Sequence, residues 1–252
     1  MIPKIIHFCW LSNDPYPLKI QRCINSWKKN LPDYQIILWD TKKFPLKNSI
    51  WVEEAYNAKK YAFAADYIRF YSLYHYGGIY LDSDVEVLKS FDSFLHLPYF
   101  MGAEKAGTIE AAILGAQKGQ DWVKTCLDYY NNRHFILNNG EYDIRKLPEI
   151  MVEEIKKIKP ICHLTLNQMS FLNKIDFEKQ LIIFPDEFFS PKIFDSRKVI
   201  LTANTYAIHH YQNSWFSTKA KLYYRIRSKF IHLFGYQLVR KLELFIFYKK
   251  FK

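Results

Sequence analysis

Residues 64–85 read AADYIRFYSLYHYGGIYLDSDV. From 61 to 76 the apolar and aromatic residues recur on more than one face, which predicts a helix that is buried on most sides. Gly77 and Gly78 supply a C-terminal stop for that helix. A strand over 79–87 follows at once. This stretch therefore predicts a buried helix and a strand that are joined by a glycine turn.

The N-terminal region predicts a strand, a helix and a second strand. Residues 2–10 and 34–40 mix β-branched and aromatic side chains over strand-like lengths. Between them, 18–30 is predicted to be helical because its apolar residues recur at helical spacing, at Ile20, Cys23, Ile24 and Trp27. Such a unit is typical of a parallel α/β sheet, in which ligands bind at the carboxyl ends of the strands.

Two carboxylates, Asp82 and Asp84, interrupt the otherwise apolar strand predicted over 79–87. Side chains at i and i+2 of a strand point to the same face, so both carboxylates would project together. Two close carboxylates repel each other unless a cation compensates them. Mg²⁺ and Mn²⁺ prefer such oxygen ligands, so the pair predicts a site for a metal-bound diphosphate. The alternative is a solvated strand end or a turn.

Asp66 and Arg69 lie three residues apart on the predicted helix, and therefore on one face of it. Their surroundings are apolar, where charged residues are uncommon unless they are paired or functional. They are either a structural ion pair or part of a site for a polar ligand.

Three blocks of the chain resemble family-32 glycosyltransferases. Residues 64–85 closely resemble the family signature, which is found in fungal initiating mannosyltransferases and bacterial capsular-polysaccharide transferases and is shared with the large glucosylating toxins. Residues 2–10 (IPKIIHFCW) are similar to the family's first strand, and 207–215 (AIHHYQNSW) are similar to its His-x4-Ser-Trp ending. The three blocks occur in the family's order and span residues 2–215.

The resemblance implies an α/β protein of the GT-A type, in which a Rossmann-like nucleotide-binding sheet merges with an acceptor-binding half. It also implies sugar transfer from a nucleotide-sugar, with a UDP-sugar favoured, and retention of the anomeric configuration. The implied cofactor is a divalent metal, usually Mn²⁺, with Mg²⁺ as the alternative. Retention fits either a covalent intermediate or front-face attack, and no nucleophile is assigned.

The resemblance also implies roles for individual residues. Asp82 and Asp84 match the Asp-x-Asp pair, of which the first contacts the donor ribose or sugar and the second binds the metal. Asp66 and Arg69 match residues that hold the donor sugar, and Tyr80 matches a residue near the nucleotide.

The resemblance also implies roles for Trp10 and for the segment over 209–215. Trp10 matches an aromatic residue that stacks on the base, and a plain core role is its alternative. His209, Ser214 and Trp215 match a segment that closes on the diphosphate, where His209 is either a metal or phosphate ligand or a packed histidine. Asn213 stands where many relatives have Gly, a departure that bears on the backbone of this closing segment.

The last part of the chain is strongly basic. Residues 219–252 contain ten Lys and Arg and one Glu, a formal charge of +9, whereas 1–218 contain 26 Lys and Arg and 24 acids. Apolar residues at helical spacing predict two basic amphipathic helices separated near Gly235. We therefore predict a catalytic domain over 1–218 and a helical tail over 219–252. The tail either contacts an anionic membrane surface or packs on the catalytic domain with a solvated basic face.

Composition excludes several classes of protein. A chain of 252 residues with 49% hydrophobic and 18% aromatic residues is a folded protein and not a disordered one. The nearly neutral body has no nucleic-acid reader motif, which argues against a nucleic-acid partner. Four cysteines without a CxxC pair and an N-terminus without the plan of a signal peptide predict a cytoplasmic protein, either free or on the inner face of the membrane.

The sequence thus predicts a metal-dependent hexosyltransferase that adds a sugar to a growing polysaccharide or a lipid-linked oligosaccharide. One alternative is a toxin-like transferase that modifies a protein. Another is a sugar-nucleotide or polyanion-binding protein that has no catalytic activity.

Overall fold

The structure, a computed structural model, describes residues 1–12, 14–105, 107–192, 198–211, 218–235 and 238–239. In chain order its elements are β1 (Ile5–Cys9), α1 (Leu18–Asn30), β2 (Gln35–Trp39), α2 (Ile50–Asn57), α3 (Tyr61–Tyr76), β3 (Gly78–Leu81), β4 (Val85–Val87), β5 (Tyr99–Ala103), β6 (Ile109–Ala116), α4 (Asp121–Asp128), α5 (Leu147–Lys156), β7 (Ile161–His163), β8 (Leu181–Ile183), β9 (Ala207–His209) and α6 (Thr218–Phe234).

A five-stranded sheet forms the centre of the molecule, in the order β2-β1-β3-β6-β5. β1 pairs in parallel with β2 on one side and with β3 on the other, and β6 runs antiparallel to both β3 and β5. Because helices connect the parallel strands, this half of the sheet is Rossmann-like. The predicted α/β fold, with a Rossmann-like sheet flanked by helices, is therefore confirmed.

The strand order reverses between β1 and β3, since the chain leaves β1 for β2 and returns to the other side of β1. In open α/β sheets, ligands bind in the crevice beyond the carboxyl ends of the strands at such a reversal. Here those two ends are at Cys9 and Leu81. Trp10 and Asp82 therefore follow directly on the two strands that border the crevice.

Helix α3 is buried as predicted, with its inward residues at Phe63, Ala64, Ile68, Arg69, Phe70, Ser72 and Leu73. Glycine is required in the turn after α3 for two reasons, a close approach to β1 and a positive φ. Gly78 has a φ of +103°, and a Cβ atom there would lie 2.7 Å from the carbonyl oxygen of Ile5 on β1. Glycine at this position lets α3 turn directly into the strand beside β1.

The prediction of one continuous strand over 79–87 is wrong in its middle. β3 ends at Leu81 and β4 begins at Val85, and residues 82–84 form a turn in which Val85 N donates to Asp82 O at 3.0 Å. The chain changes sheets at this turn, because β3 pairs with β1 and β6 whereas β4 pairs with β9 in a separate two-stranded sheet. Both carboxylates thus lie at a junction between two sheets.

Helix α1 holds the second of these sheets in place. Trp27 Nε1 donates to Val85 O at 2.7 Å, and Asn30 Nδ2 donates to Val87 O at 2.8 Å. Ser26 Oγ accepts from Val87 N at 2.9 Å. Three side chains of α1 therefore fix the backbone of β4 immediately after the acidic turn.

The C-terminal region is described in part. Its first predicted helix is present as α6, which Gly235 follows with a φ of +79°. Most of the second predicted helix lies outside the described residues. Among the helices that the structure describes, none combines the length and apolarity that crossing a bilayer requires.

Candidate functional site

The acidic turn over residues 82–84 is held on both sides by backbone hydrogen bonds. Asp82 N donates to Ala112 O of β6 at 2.9 Å, and His210 N donates to Asp84 O at 3.2 Å. Asp84 is buried and Asp82 is half-buried. The two carboxylates are brought together by a turn between two sheets, not by the alternation of a strand.

His209 joins these carboxylates because of strand pairing. It is the last residue of β9 and lies opposite Val85 in the register of the β4–β9 pair. Its Nε2 is 3.5 Å from Asp84 Oδ1. One ligand atom from each of Asp82, Asp84 and His209 lies within 4.8 Å of the others. Two carboxylate oxygens and one imidazole nitrogen form a donor set that suits a divalent cation such as Mn²⁺.

Arg69 borders the acidic turn on its α3 side. Its Nη2 is 2.9 Å from Asp82 Oδ1 and 3.3 Å from Asp66 Oδ1, and its Nη1 donates to the carbonyl oxygen of Ala111. The guanidinium lies over the ring of Tyr80, 4.6 Å from its centroid. Because Arg69 is only 4% exposed, these contacts hold its charged group in one orientation.

Burial and the neighbouring positive charges shift the pKa values of the carboxylates in this cluster in opposite directions. Burial raises the pKa of Asp66 to about 7, although Arg69 lowers it, and the charge of Asp82 raises it further. Burial also raises the pKa of Asp82, against the lowering effects of Arg69 and His209. The carboxylates are therefore held in a setting that favours added positive charge.

Glu110 is a member of the site that sequence reasoning missed. It lies on β6 and is 1% exposed, with its two carboxylate oxygens 3.1 and 3.2 Å from His209 Nδ1. Ala112 N donates to its Oε1 at 3.0 Å and the Tyr211 hydroxyl donates to its Oε2 at 3.1 Å. The available signal was a single carboxylate in an otherwise apolar eight-residue strand.

Glu110 fixes one nitrogen of His209 as a hydrogen-bond donor. An ionised carboxylate only accepts hydrogen bonds, so His209 Nδ1 is the donor and Nε2 faces Asp84. Burial lowers the pKa of His209, but the charges of Glu110 and Asp84 outweigh it and raise that pKa well above its ordinary value. In turn His209 lowers the pKa of Glu110, against the effect of burial.

The structure thus brings together Asp66, Arg69, Asp82, Asp84 and His209 of the predicted site. Tyr80 is fully buried beneath Arg69. Trp10 is half-buried at the end of β1, where its ring packs edge-on against Tyr16 and its Nε1 donates to Asp14 O at 2.9 Å. The predicted residues Ser214 and Trp215 lie outside the described residues.

Residues 17–100 match the sequence model of a family described as "glycosyltransferase sugar-binding region containing DXD motif". The matched range includes Asp66, Arg69 and both carboxylates of the acidic turn. Over residues 17–100 the chain is therefore similar to this family.

Named proteins with a similar sequence come from fungi and from a virus. Inositol phosphoceramide mannosyltransferase 3 of Schizosaccharomyces pombe is 33% identical over 48% of the chain and 35% of its own length. Mannosyl phosphorylinositol ceramide synthase CSH1 of Saccharomyces cerevisiae is 31% identical over 46% of the chain and 32% of its own length. The uncharacterized glycosyltransferase L373 of Acanthamoeba polyphaga mimivirus is 28% identical over 69% of the chain and 73% of its own length. The chain spans about a third of the length of the fungal relatives.

Solved structures that are similar to this chain include the PaToxG glycosyltransferase, with a TM-score of 0.44 and 22% identity over 62% of the chain and 71% of that structure. The apo form of the glycosyltransferase GlyE of Streptococcus pneumoniae TIGR4 gives a TM-score of 0.42 and 13% identity over 90% of the chain and 60% of that structure. Both likenesses are remote.

Proposed function

We propose that this chain transfers a sugar from a nucleotide-sugar to a glycan or lipid-linked glycan, with the help of a divalent metal and with retention of configuration. The observation that carries the proposal is the convergence of Asp82, Asp84 and His209 on one point beside the Arg69–Asp66 pair. That point lies at the carboxyl end of β3, where the strand order reverses.

The donor set fits a divalent cation by its chemistry and its spacing. Asp82, Asp84 and His209 would hold it, since their ligand atoms lie within 4.8 Å of one another and two of the three are carboxylates. When bound, Mn²⁺ or Mg²⁺ supplies positive charge that stabilises the departing nucleoside diphosphate.

The chain's own residues supply the rest of the donor site. Arg69 presents a rigid guanidinium that can hydrogen-bond to sugar or phosphate oxygens, and Tyr80, Asp66 and Asp82 keep it in that orientation. Because these donors are fixed before the reaction, they stabilise developing negative charge without reorganisation. Glu110 orients His209 towards the acidic turn.

The donor and the acceptor are proposed as classes of molecule. A UDP-sugar is the favoured donor, and a growing polysaccharide or lipid-linked oligosaccharide is the favoured acceptor. The printed names of the fungal relatives specify mannose and inositol phosphoceramide, a lipid. These names support a test of mannosyl donors and of lipid-linked acceptors beside the UDP-sugars.

The experiment is a thermal-shift and donor-hydrolysis screen of UDP- and GDP-sugars with and without Mn²⁺. The unaltered chain is compared with Asp84→Asn, and with Asp128→Asn as a matched control at an exposed ion pair on α4. A ligand that binds only the folded state raises the unfolding temperature. We expect a metal-dependent shift and slow hydrolysis with one nucleotide class, retained in Asp128→Asn and lost in Asp84→Asn.

Two outcomes would contradict the proposal. The first is the absence of both shift and hydrolysis with every donor. The second is a donor-dependent shift that persists in Asp84→Asn and is never followed by hydrolysis or transfer, which would identify a sugar-nucleotide-binding protein without catalytic activity.

A further inference from the structure

Helix α6 exposes an apolar face. Six of its large apolar side chains are between 47% and 75% exposed: Leu222, Tyr223, Ile226, Phe230, Leu233 and Phe234. At 3.6 residues per turn they fall within an arc of about 120°. An exposed apolar face of this extent on one helix is characteristic of a surface that binds a partner or a membrane.

The opposite side of α6 is the side that is turned towards the protein. Ile231 is 6% exposed there, and Tyr224 and Ser228 on the same side are half-buried. The helix therefore has an inward side and an outward side, and most of its large apolar residues are on the outward side. This orientation differs from the alternative in which the tail packs on the catalytic domain and only its basic face is exposed to solvent.

The charge of α6 has one sign. The helix contains five Lys and Arg and no acidic residue, and residues 219–252 as a whole carry ten basic residues and one Glu. Arg227 and Lys229 lie at the two margins of the apolar arc when the helix is drawn at 3.6 residues per turn. An apolar stripe with basic margins is the pattern of helices that lie in the plane of a membrane interface.

We propose that α6 docks on a bilayer surface rich in anionic lipid. Its apolar face enters the boundary between headgroups and acyl chains, and its basic residues contact the negatively charged headgroups. At 1.5 Å per residue the helix is about 25 Å long, so it lies along the surface as a single contact.

Charge complementarity favours lipid over a second copy of the chain as the occupant of this face. Two copies that packed α6 against α6 would bring two helices together, each with five basic residues and no acid. Like charges at such distances repel, whereas an anionic surface attracts each basic residue. The docking does not depend on the proposed transferase activity.

The test is co-sedimentation of the full-length chain with vesicles. Vesicles of phosphatidylcholine are compared with vesicles that also contain phosphatidylglycerol, at low and at high salt. We expect binding to the anionic vesicles alone, and weaker binding as salt screens the headgroup charge. Removing one basic residue, as in Lys229→Gln, is expected to weaken the binding about fivefold.

A pair of matched variants isolates the apolar face. Ile226→Ser with Phe230→Ser removes two large side chains from the centre of the arc, and we expect at least about a tenfold loss of vesicle binding. Ile144→Ser with Phe171→Ser makes the same chemical changes at residues that are 61% and 54% exposed elsewhere, and should bind as the unaltered chain does. Circular dichroism verifies that each variant is folded.

Three outcomes would overturn the proposal. One is equal binding to neutral and anionic vesicles, and another is equal loss in both pairs of variants. The third is a dimer in light scattering that Ile226→Ser with Phe230→Ser converts to a monomer without a change in vesicle binding, which would assign the face to a second copy. The metal-dependent thermal shift is measured without vesicles, so its outcome is independent of all three.

Discussion

His209 lies between two carboxylates, with Asp84 on its Nε2 side and Glu110 on its Nδ1 side. A carboxylate behind a metal-binding histidine fixes the ring and makes the facing nitrogen a better ligand. We therefore expect Glu110 to be a positioning residue, because it would act on the proposed metal site through His209. The backbone N–H of Ala112 and the hydroxyl of Tyr211 donate hydrogen bonds to the Glu110 carboxylate and hold it in place.

The variant Glu110→Gln tests this role. It keeps the size of the side chain and removes its charge, so we expect the Kd for Mn²⁺ to rise by about 10- to 100-fold. The measurement is the electron paramagnetic resonance signal of free Mn²⁺ during titration of the protein. Glu153→Gln is the matched control, since it removes an exposed carboxylate on α5 that pairs with Arg145. An unchanged Kd in Glu110→Gln would contradict the positioning role, even if the variant were less stable.

At the scale of single residues, spacing and resemblance predicted that Asp82, Asp84 and Arg69 belong together. The predicted reason, that both carboxylates lie on one face of a strand, was wrong because they lie in a turn. Nothing in the spacing of Asp82 and Asp84 distinguishes two positions on a strand from two positions in a turn. The turn depends on β4 pairing with β9, which is a contact between distant parts of the chain. Glu110 was missed because its partner His209 is 99 residues away.

The turn between α3 and β3 is the element that sets how closely the helix approaches the sheet. A methyl group on Gly78 would meet the carbonyl oxygen of Ile5 at 2.7 Å, and φ at this residue is +103°. We expect Gly78→Ala to lower the free energy of unfolding by about 3 kcal/mol through strain and overpacking together. Urea denaturation provides the measurement.

A matched control for that variant separates backbone strain from the close approach. Gly119 also has a positive φ, +80°, and a Cβ atom there would have nothing within 4 Å. Gly119→Ala is expected to cost about 1 kcal/mol, from strain alone. Equal losses in the two variants would show that the contact with β1 is not what requires glycine at 78.

Strand β1 carries a histidine that is locked in its neutral form. His7 Nε2 donates to Gly77 O at 2.8 Å, and Trp39 Nε1 donates to His7 Nδ1 at 3.1 Å. Since Nδ1 must keep its lone pair to accept from Trp39, a second proton on the ring would break this bond. The pKa of His7 is lowered to about 4, chiefly by burial, with a smaller lowering effect of Lys43 and an opposing effect of the hydrogen bond to Gly77.

Acid should therefore destabilise the fold through His7. Between its ordinary pKa of 6.5 and about 4, the unfolded chain binds a proton that the folded chain does not. Stability is then fully present above pH 6.5 and falls as the pH is lowered, by about 3 kcal/mol for this group. Urea denaturation from pH 7 to pH 4 is expected to show this slope in the unaltered chain and a shallower one in His7→Gln. The exposed control His96→Gln should keep the full slope, and a His7→Gln slope as steep as the unaltered one would refute this assignment.

At the scale of elements, the strand-helix-strand pattern before residue 41 and the buried helix α3 were predicted well. Their apolar periodicity is local, and the structure keeps it at Ile20, Cys23, Ile24 and Trp27 of α1. The break between β3 and β4 could not be predicted in the same way. Apolar residues on both sides of the break are buried, so the pattern is the same for one strand as for two strands in different sheets.

Among the residues that the structure describes, a contiguous core has members that run from Ile2 to Ala207. No described residue of α6 belongs to that core. We therefore expect deletion of residues 219–252 to lower the thermal midpoint by only a few degrees, because few buried contacts are lost. The metal-dependent donor shift should also persist in the shortened chain, in agreement with the proposed division at 218 and 219.

Differential scanning fluorimetry with and without donor and Mn²⁺ measures the thermal midpoint and the donor-dependent shift of the shortened chain. The full-length chain is the reference. Loss of a cooperative transition after the deletion would contradict the proposed division, since it would mean that the tail contributes to the stability of the body.

The division at 218 and 219 is predicted from the distribution of basic and apolar residues along the chain. The same distribution carries no information about which side of α6 faces outward. That depends on Ile231 being the buried residue of its turn, which only the folded chain reveals.

The pairing of β4 with β9 also has a consequence for synthesis of the protein. Val85 meets His209 across the small sheet, so the two carboxylates of the acidic turn leave the ribosome long before their histidine partner does. A nascent chain can complete the β2-β1-β3 part of the large sheet once Leu81 has emerged, and the β4–β9 sheet must wait until translation has passed His209. Late closure of this contact means that incomplete translation products hold both aspartates without a finished site.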